Sequence, residues 1–259
     1  RSWHGARRPA TMTALLTMDP GAGTRPGTLF RRYVGIDYSG AEAPVSRLRN
    51  LQVYACEGVG PAAPVAPYDR GARNWCRKEV ARYVGECLRG ESPCIIGIDH
   101  GFAFPLAYYE RHALTSWDAF LSHFSHHWRT DFDHMHVDYA RRDIPLGGSA
   151  SELRLCERWT LGTKSVFQFD VQGSVAKSTH AGLPWLRQLR LDRRVRARTH
   201  FWPFDGFVVE AGRSVVADWL GRIRSARASR ARSTEISRCR NDAYSNNLII
   251  DPSSSRTLE

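Results

Sequence analysis

The chain has 259 residues, of which 42% are hydrophobic and 24% are charged, enough to build the core of one domain of ordinary size. No run approaches the roughly 18 apolar residues that a membrane span needs, and the Arg-rich start lacks the apolar stretch of a secretory signal. The six cysteines form no C-x-x-C pair, which argues against a disulfide framework and a zinc ribbon. We therefore expect a soluble, cytoplasmic protein with reduced thiols.

The net charge of +11 is concentrated at the two ends of the chain. Residues 1–32 carry +5 and residues 221–259 carry +4, which leaves only +2 for the 188 residues between them. Arg outnumbers Lys 34 to 3, a bias that GC-rich coding DNA can produce without selection for phosphate binding. Solvated tails explain the charge at least as well as a nucleic-acid surface does. Nucleic acid is thus one candidate partner, a membrane is not, and the oligomeric state stays open.

The sequence divides into a flexible leader at 1–30, a folded domain at 31–220 and an Arg- and Ser-rich segment at 221–259. Disorder, an altered reading frame or a truncation would each explain that last segment. In chain order, the predicted elements are strands at 33–38 and 48–56, a helix at 75–88, a strand at 94–98, helical segments within 107–140, a strand at 167–171, a helix at 183–191 after a Gly-Leu-Pro turn, and a strand at 214–220. This alternation predicts an α/β or mixed α+β domain with helices packed on its sheet, and we expect the α/β class with a mixed sheet.

Two similar segments, residues 34–37 and 96–99, each end an apolar strand with Gly-x-Asp. If the two strands are parallel neighbours joined by the helix at 75–88, Asp37 and Asp99 project from the same edge of the sheet. Two such carboxylates repel each other unless a divalent cation lies between them, and hard oxygen ligands suit Mg²⁺ or Mn²⁺. The alternative is that each Asp shapes an Asx turn at the end of its strand.

Three segments resemble a known family. They are residues 33–41 (Tyr-Val-Gly-Ile-Asp-Tyr-Ser-Gly-Ala), 95–105 (Ile-Ile-Gly-Ile-Asp-His-Gly-Phe-Ala-Phe-Pro) and 172–185 (Gln-Gly-Ser-Val-Ala-Lys-Ser-Thr-His-Ala-Gly-Leu-Pro-Trp). Together they resemble domain of unknown function 429, a family of predicted ribonuclease H-like nucleases, and the resemblance covers about residues 31–218 in order. It implies a ribonuclease H-like sheet, with a three-strand antiparallel start followed by parallel strands, and acids gathered around divalent metal.

The resemblance also implies roles for four acids. Asp37 takes the place of the family's first-strand acid and Asp99 that of its fourth-strand acid, and both would be catalytic and bind Mg²⁺ or Mn²⁺. Asp218, in Val-Val-Ala-Asp, matches a further acidic position, after which the similarity stops. Asn-Asp-Ala-Tyr at 241–244 matches a motif of the family's final helix and would supply Asp242. The Arg-rich segment between these two acids departs from the family pattern, so we expect an impaired site.

The most specific of the three segments contains Lys177, Ser178 and His180, which would contact a substrate phosphate. Their loop lacks the spaced glycines of a phosphate-cradling Walker loop, so a structural turn is the alternative. Six of the ten histidines lie between residues 112 and 136, and His123 and His127 have the i, i+4 spacing of two metal ligands. No Glu follows the first of that pair, and a surface helix is the simpler interpretation.

Three functions remain at this stage. The leading hypothesis is a metal-dependent ribonuclease H-like nuclease that hydrolyses phosphodiesters of nucleic acid and is impaired in this chain. The second is a binding module that kept the sheet and lost the chemistry. The third is an actin-like ATPase or phosphotransferase, whose phosphate loops also begin with Gly-Ile-Asp. That fold needs two such domains and a longer chain, so the third hypothesis is disfavoured.

Overall fold

The computed structural model describes residues 30–145 and 147–218 together with a strand at Ile249–Asp251. The strands are β1 (Arg32–Asp37), β2 (Gln52–Glu57), β3 (Ala63–Pro64), β4 (Cys94–Ile98), β5 (Thr199–Trp202), β6 (Val208–Glu210), β7 (Ser214–Asp218) and β8 (Ile249–Asp251). The helices are α1 (Arg77–Arg89), α2 (Leu106–Arg111), α3 (Trp117–His127), α4 (Val137–Asp143), α5 (Leu155–Arg158), α6 (Ala176–Leu191) and α7 (Arg193–Arg198).

Some expectations fall outside these residues. The predicted leader, except for its last residue, and the segment 221–259, except for β8, lie outside the described part of the chain, and so does Asp242. Across the described ranges, no helix combines the length and the apolar character that crossing a membrane requires.

A mixed six-stranded sheet forms the centre of the fold, in the order β3-β2-β1-β4-β7-β5. The first three strands pair antiparallel, β3 with β2 and β2 with β1. The following pairs, β1 with β4, β4 with β7 and β7 with β5, are parallel. The predicted α/β class with a mixed sheet and packed helices is therefore confirmed, and an antiparallel start is followed by parallel strands. A second, two-stranded sheet pairs β6 with β8 in parallel.

Strand alternation divides the apolar side chains between two faces of the sheet. Val34, Ile36, Ile96 and Ile98 join a large core cluster that also contains the buried residues of α1, α3 and α6. Ile95, Val215 and Ala217 project the other way, into a smaller cluster with Phe30 and Val209. Both faces of the central strands are covered, which explains why β4 is buried along its whole length and is an unbroken apolar run apart from one glycine.

Helix α6 begins seven residues before the predicted start at 183, so the expected Gly-Leu-Pro turn is wrong. Pro184 lies inside the helix, where its missing N–H leaves the carbonyl of His180 without a helical donor. The buried hydroxyl of Thr130 donates a hydrogen bond to that carbonyl at 2.6 Å. A side chain from outside the helix thus replaces the lost backbone bond, and α6 continues through the proline.

The predicted strand at 167–171 is also wrong, since this segment forms turns. Phe167 and Phe169 are buried, as two residues on one face of a strand would be, but Val171, which would share that face, is 40% exposed. The amide of Ser165 donates to Oε1 of Gln168 at 2.8 Å, and the amide of Gln168 donates to the carbonyl of Ser165 at 3.0 Å. These local hydrogen bonds satisfy backbone groups that a strand would pair with a neighbour.

The loop that follows β1 packs directly on the first turn of α6. A Cβ atom added at Gly40 would lie 2.1 Å from the carbonyl oxygen of Lys177 and 2.5 Å from the amide nitrogen of Ser178. Both atoms belong to the backbone, so no rotamer change can make room. Only glycine allows this approach, which holds the end of β1 against α6.

We expect Gly40→Ala to destabilise the fold by about 2 kcal/mol or more, because the added methyl group forces the loop away from α6. Gly35→Ala is the matched control, since a Cβ atom there meets nothing within 4 Å. Urea unfolding of the two variants and the wild type measures the difference. Equal stabilities for the two variants would contradict the close approach.

Candidate functional site

Asp37 and Asp99 lie side by side at the ends of neighbouring parallel strands. Ile36 of β1 is the register partner of Ile98 of β4, and the amide of Asp99 donates to the carbonyl of Ile36 at 3.2 Å, so the pairing continues to the acids. Side chains at paired positions of parallel strands point to the same face. Gly35 precedes Asp37 on that face, and a Cβ atom there meets no described atom within 4 Å. The two carboxylates therefore share one face and one edge of the sheet, with open space beside β1.

The Asp99 carboxylate is turned towards β1. Its Oδ1 accepts a hydrogen bond from the backbone amide of Tyr38 at 2.6 Å. The nitrogen of Tyr38 lies only about 2.4 Å from the Cα atom of Asp37, so this oxygen is within about 5 Å of that Cα atom. The hydrogen bond fixes the Asp99 side chain beside the end of β1.

The first turn of α6 contacts the loops after both acids. Besides packing on Gly40, it places the hydroxyl of Thr179 where it accepts a hydrogen bond from the amide of Gly101 at 2.8 Å. One turn later, a Cβ atom at Gly182 would lie 2.3 Å from the ring of His100. All three segments that carry the family resemblance thus meet here. Thr179 was not among the predicted site residues, and its place at the start of a helix is a signal too common to single it out.

Arg77, the first residue of α1, anchors the loop after Asp37 from the other side. Its guanidinium is fully buried and donates to the carbonyls of Ser39, Ala41 and Glu42, the last at 2.7 Å. Hydrogen bonds from one buried guanidinium to three carbonyls of this loop hold the backbone of residues 39–42 in place. Nothing in the sequence distinguishes Arg77 from the other arginines, of which the chain has 34 in total.

Asp218 lies two strands away from Asp37, because β4 separates β7 from β1. It ends β7 and is the register partner of Ile98, so it shares the face of Ile98, opposite to the face of Asp99. Its Oδ2 accepts hydrogen bonds from the amide of Phe102 at 3.1 Å and from Nη1 of Arg154 at 3.0 Å. Asp218 therefore ties the loop after β4 and the guanidinium of Arg154 to the end of β7.

Arg154 is the centre of a buried ion network. Its Nη2 and Nε donate to Oε1 of Glu157 at 2.8 and 3.0 Å, while Nη1 contacts Asp218. Burial disfavours its charge, but the carboxylates of Asp218 and Glu157 outweigh burial and raise the pKa of Arg154 above its usual value. The guanidinium thus stays charged inside the protein. An Arg three residues before a Glu is the one sequence signal for this pair, and it is a weak one.

Asp37 and Asp99 are the two acids at this sheet edge that could hold a hard divalent cation. Asp37 and Asp99 supply carboxylate oxygens from one face of adjacent strands, as Mg²⁺ or Mn²⁺ requires. A second cation would need Asp218, which faces the other way and is ion-paired with Arg154. Among the residues that the structure describes, no group of three or more His, Cys, Asp or Glu side chains is placed to hold a metal ion.

Lys177 and Ser178 stand next to the acids through the contact of their backbone with Gly40. Nζ of Lys177 donates to Oδ2 of Asp138 on α4 at 2.7 Å, and both side chains remain more than a third exposed. The hydroxyl of Ser178 donates to the carbonyl of Val175 in its own helix turn. The Lys177 ammonium is thus ion-paired and partly exposed, whereas the Ser178 hydroxyl is engaged within its own helix turn.

His180 lies in the core. It is fully buried, its Nδ1 is 2.9 Å from the carbonyl oxygen of Ala176, and its ring contacts four aromatic side chains: Phe104, Phe124, Trp128 and Phe169. A side chain so enclosed does not reach the protein surface, where a substrate would bind. The pair His123 and His127 lies on the partly exposed side of α3, with ring centroids 4.9 Å apart, as the surface-helix interpretation expects.

Comparisons of the chain with protein-family models, with curated proteins and with solved structures gave no match. The resemblance to domain of unknown function 429 therefore stays a prediction.

Two buried histidines make stability depend on pH. Burial lowers the pKa of His100 to about 4 and that of His180 to about 3, whereas an exposed histidine titrates near 6.5. Below about pH 6.5 the unfolded chain binds protons that the folded chain does not, so acid lowers the free energy of unfolding. We expect His180→Phe to remove about 1 kcal/mol per pH unit of this dependence between pH 6 and 5. Urea unfolding at several pH values measures it, and parallel profiles for the variant and the wild type would contradict the assignment.

Proposed function

We propose that this chain is a ribonuclease H-like domain that binds one Mg²⁺ or Mn²⁺ ion between Asp37 and Asp99 and acts on phosphodiesters of nucleic acid as a slow, metal-dependent nuclease. The observation that carries the proposal is the in-register placement of these two carboxylates at the ends of adjacent parallel strands. The strand order supports it too, because an antiparallel start followed by parallel strands is the arrangement expected of a ribonuclease H-like sheet.

Asp37, Asp99 and Lys177 would have different roles at this edge. A bound divalent cation supplies an activated water and neutralises charge on the scissile phosphate. Asp99, oriented by the amide of Tyr38, and Asp37 hold the ligand oxygens at fixed positions, so little reorganisation is needed on binding. Lys177 places an ammonium group near the same edge, where a phosphate approaching the acids meets positive charge.

The slow reaction follows from the ion pair of Asp218, the third acid, with Arg154. A two-metal nuclease uses a pair of cations to stabilise both the attacking and the leaving oxygen. Here Asp218 is committed to Arg154, so only one cation is available for both tasks. A rate well below that of two-metal nucleases is therefore part of the proposal.

The second candidate function is a binding module without catalysis. The ion pair between Asp218 and Arg154 favours it, because a site with a single cation can hold a phosphodiester without cleaving it. The two functions share the cation and the phosphate, and they differ only in whether the phosphodiester is broken.

We expect Asp37→Asn to weaken Mn²⁺ binding by at least about tenfold, because the amide removes one of few formal charges around the cation. Calorimetry at micromolar to millimolar Mn²⁺ measures the affinity, and Asp133→Asn is the control, since Asp133 pairs with Lys78 on the surface. Equal affinities in wild type and Asp37→Asn would show that the two acids only form turns.

Incubation of labelled RNA, DNA and RNA–DNA hybrid with Mn²⁺ separates the two candidates. Slow cleavage by the wild type that disappears in Asp37→Asn and persists in Asp133→Asn supports the nuclease. Retained binding of Mn²⁺ and nucleic acid with no cleavage supports the binding module.

We also expect Lys177→Met to weaken binding of a nucleic-acid strand several-fold and to reduce the slope of log K against log salt by about 0.7 to 0.9, the contribution of one phosphate contact. Lys78→Met is the matched control, because that lysine also pairs with one Asp but lies on α1. Fluorescence anisotropy at several salt concentrations measures both quantities. An unchanged slope in Lys177→Met would place the phosphate elsewhere.

A further inference from the structure

One guanidinium is shared by two enclosed carboxylates at the end of β7. Arg154 lies 3.0 Å from Oδ2 of Asp218 and 2.8 Å from Oε1 of Glu157. The side chains of Arg154, Glu157 and Asp218 are 9%, 6% and 15% exposed. Two carboxylates removed from water in this way need a cation between them. Here that cation is part of the chain, the guanidinium of Arg154.

We infer that the Arg154 guanidinium takes the place of a divalent cation between Asp218 and Glu157 and so excludes a metal ion from these two carboxylates. The inference rests on the proposed function for the identity of the first cation site, at Asp37 and Asp99. It adds that the positive charge at the third acid is built in, permanent and independent of metal concentration.

The position of Arg154 is set by more than charge attraction. Oε2 of Glu157 accepts the backbone amide of Arg154 at 2.8 Å while Oε1 accepts its side chain, so one carboxylate fixes both. Glycine at 101 leaves space for the guanidinium, because a Cβ atom there would lie 3.0 Å from Nη1, closer than most Cβ contacts. Release of the Arg154 guanidinium from the two carboxylates is unfavourable, since its charge would then be left buried without a partner.

Removing the charge of Arg154 should convert its place into a metal site. In Arg154→Ala the carboxylates of Asp218 and Glu157 would face each other across the space that the guanidinium filled, and they would repel. A hard divalent cation relieves that repulsion with the oxygen ligands it prefers. Arg154→Lys keeps the charge and should not open the site.

The experiment counts bound Mn²⁺ by equilibrium dialysis and calorimetry in four full-length chains: wild type, Arg154→Ala, Arg154→Lys, and Arg154→Ala combined with Asp218→Asn. The expected numbers of bound ions are one, two, one and one. Circular dichroism supplies a second readout, because Mn²⁺ should raise the unfolding temperature of Arg154→Ala more than that of the wild type. If Arg154→Ala does not fold, Arg154→Gln, which loses the charge and keeps a hydrogen-bond donor, takes its place.

The outcomes separate this inference from the proposed function. No gain of Mn²⁺ on loss of the Arg154 charge overturns the inference, whatever the wild type binds. A wild type without Mn²⁺ and a variant with one ion would defeat the proposed function and keep the inference. A gained ion that persists after Asp218→Asn would place it elsewhere and overturn the inference.

Discussion

The parallel register between β1 and β4 determines where the groups of the candidate site lie. Because paired residues face the same way, this register puts the two Gly-x-Asp endings on one face, and a shift of one residue would turn Asp99 to the opposite side. Packing on both faces of the central strands holds the register in place, since a slip of one residue would move Ile96 and Ile98 out of the large core cluster and into the smaller one. The start of α6 contacts the loops beyond both strands, at Gly40 and at Gly101.

The third acid illustrates how a shared strand order can produce different chemistry. β7 lies where a parallel strand could deliver a further carboxylate to the same edge, yet its last residue is paired one position earlier, with Ile98. That offset turns Asp218 to the other face, where a guanidinium neutralises it. One residue of register therefore separates an acid that could bind metal from one that binds an arginine.

Sequence patterns predicted the sheet core well and its irregular surroundings poorly. Matched apolar runs with Gly-x-Asp endings located β1, β4 and the acid pair, because burial on both faces leaves a strong signal in each strand. β5 was not predicted, since Thr199 and His200 are buried although they are polar. The role of Arg154 could not be predicted either, because burial of an arginine depends on carboxylates 3 and 64 residues away along the chain. Long-range pairing of this kind leaves no periodic trace.

The proline inside α6 has a consequence for how this fold can vary. Its missing N–H is compensated by the hydroxyl of Thr130, which lies in the turn after α3. The residues at positions 130 and 184 therefore depend on each other. A residue without a hydroxyl at 130 is tolerated only if position 184 regains an amide, and a non-proline at 184 frees position 130 from the need for a donor. Among related chains, these two positions should therefore vary together, and their covariation would identify members that share the same α6 even where the acids at the sheet edge have been replaced.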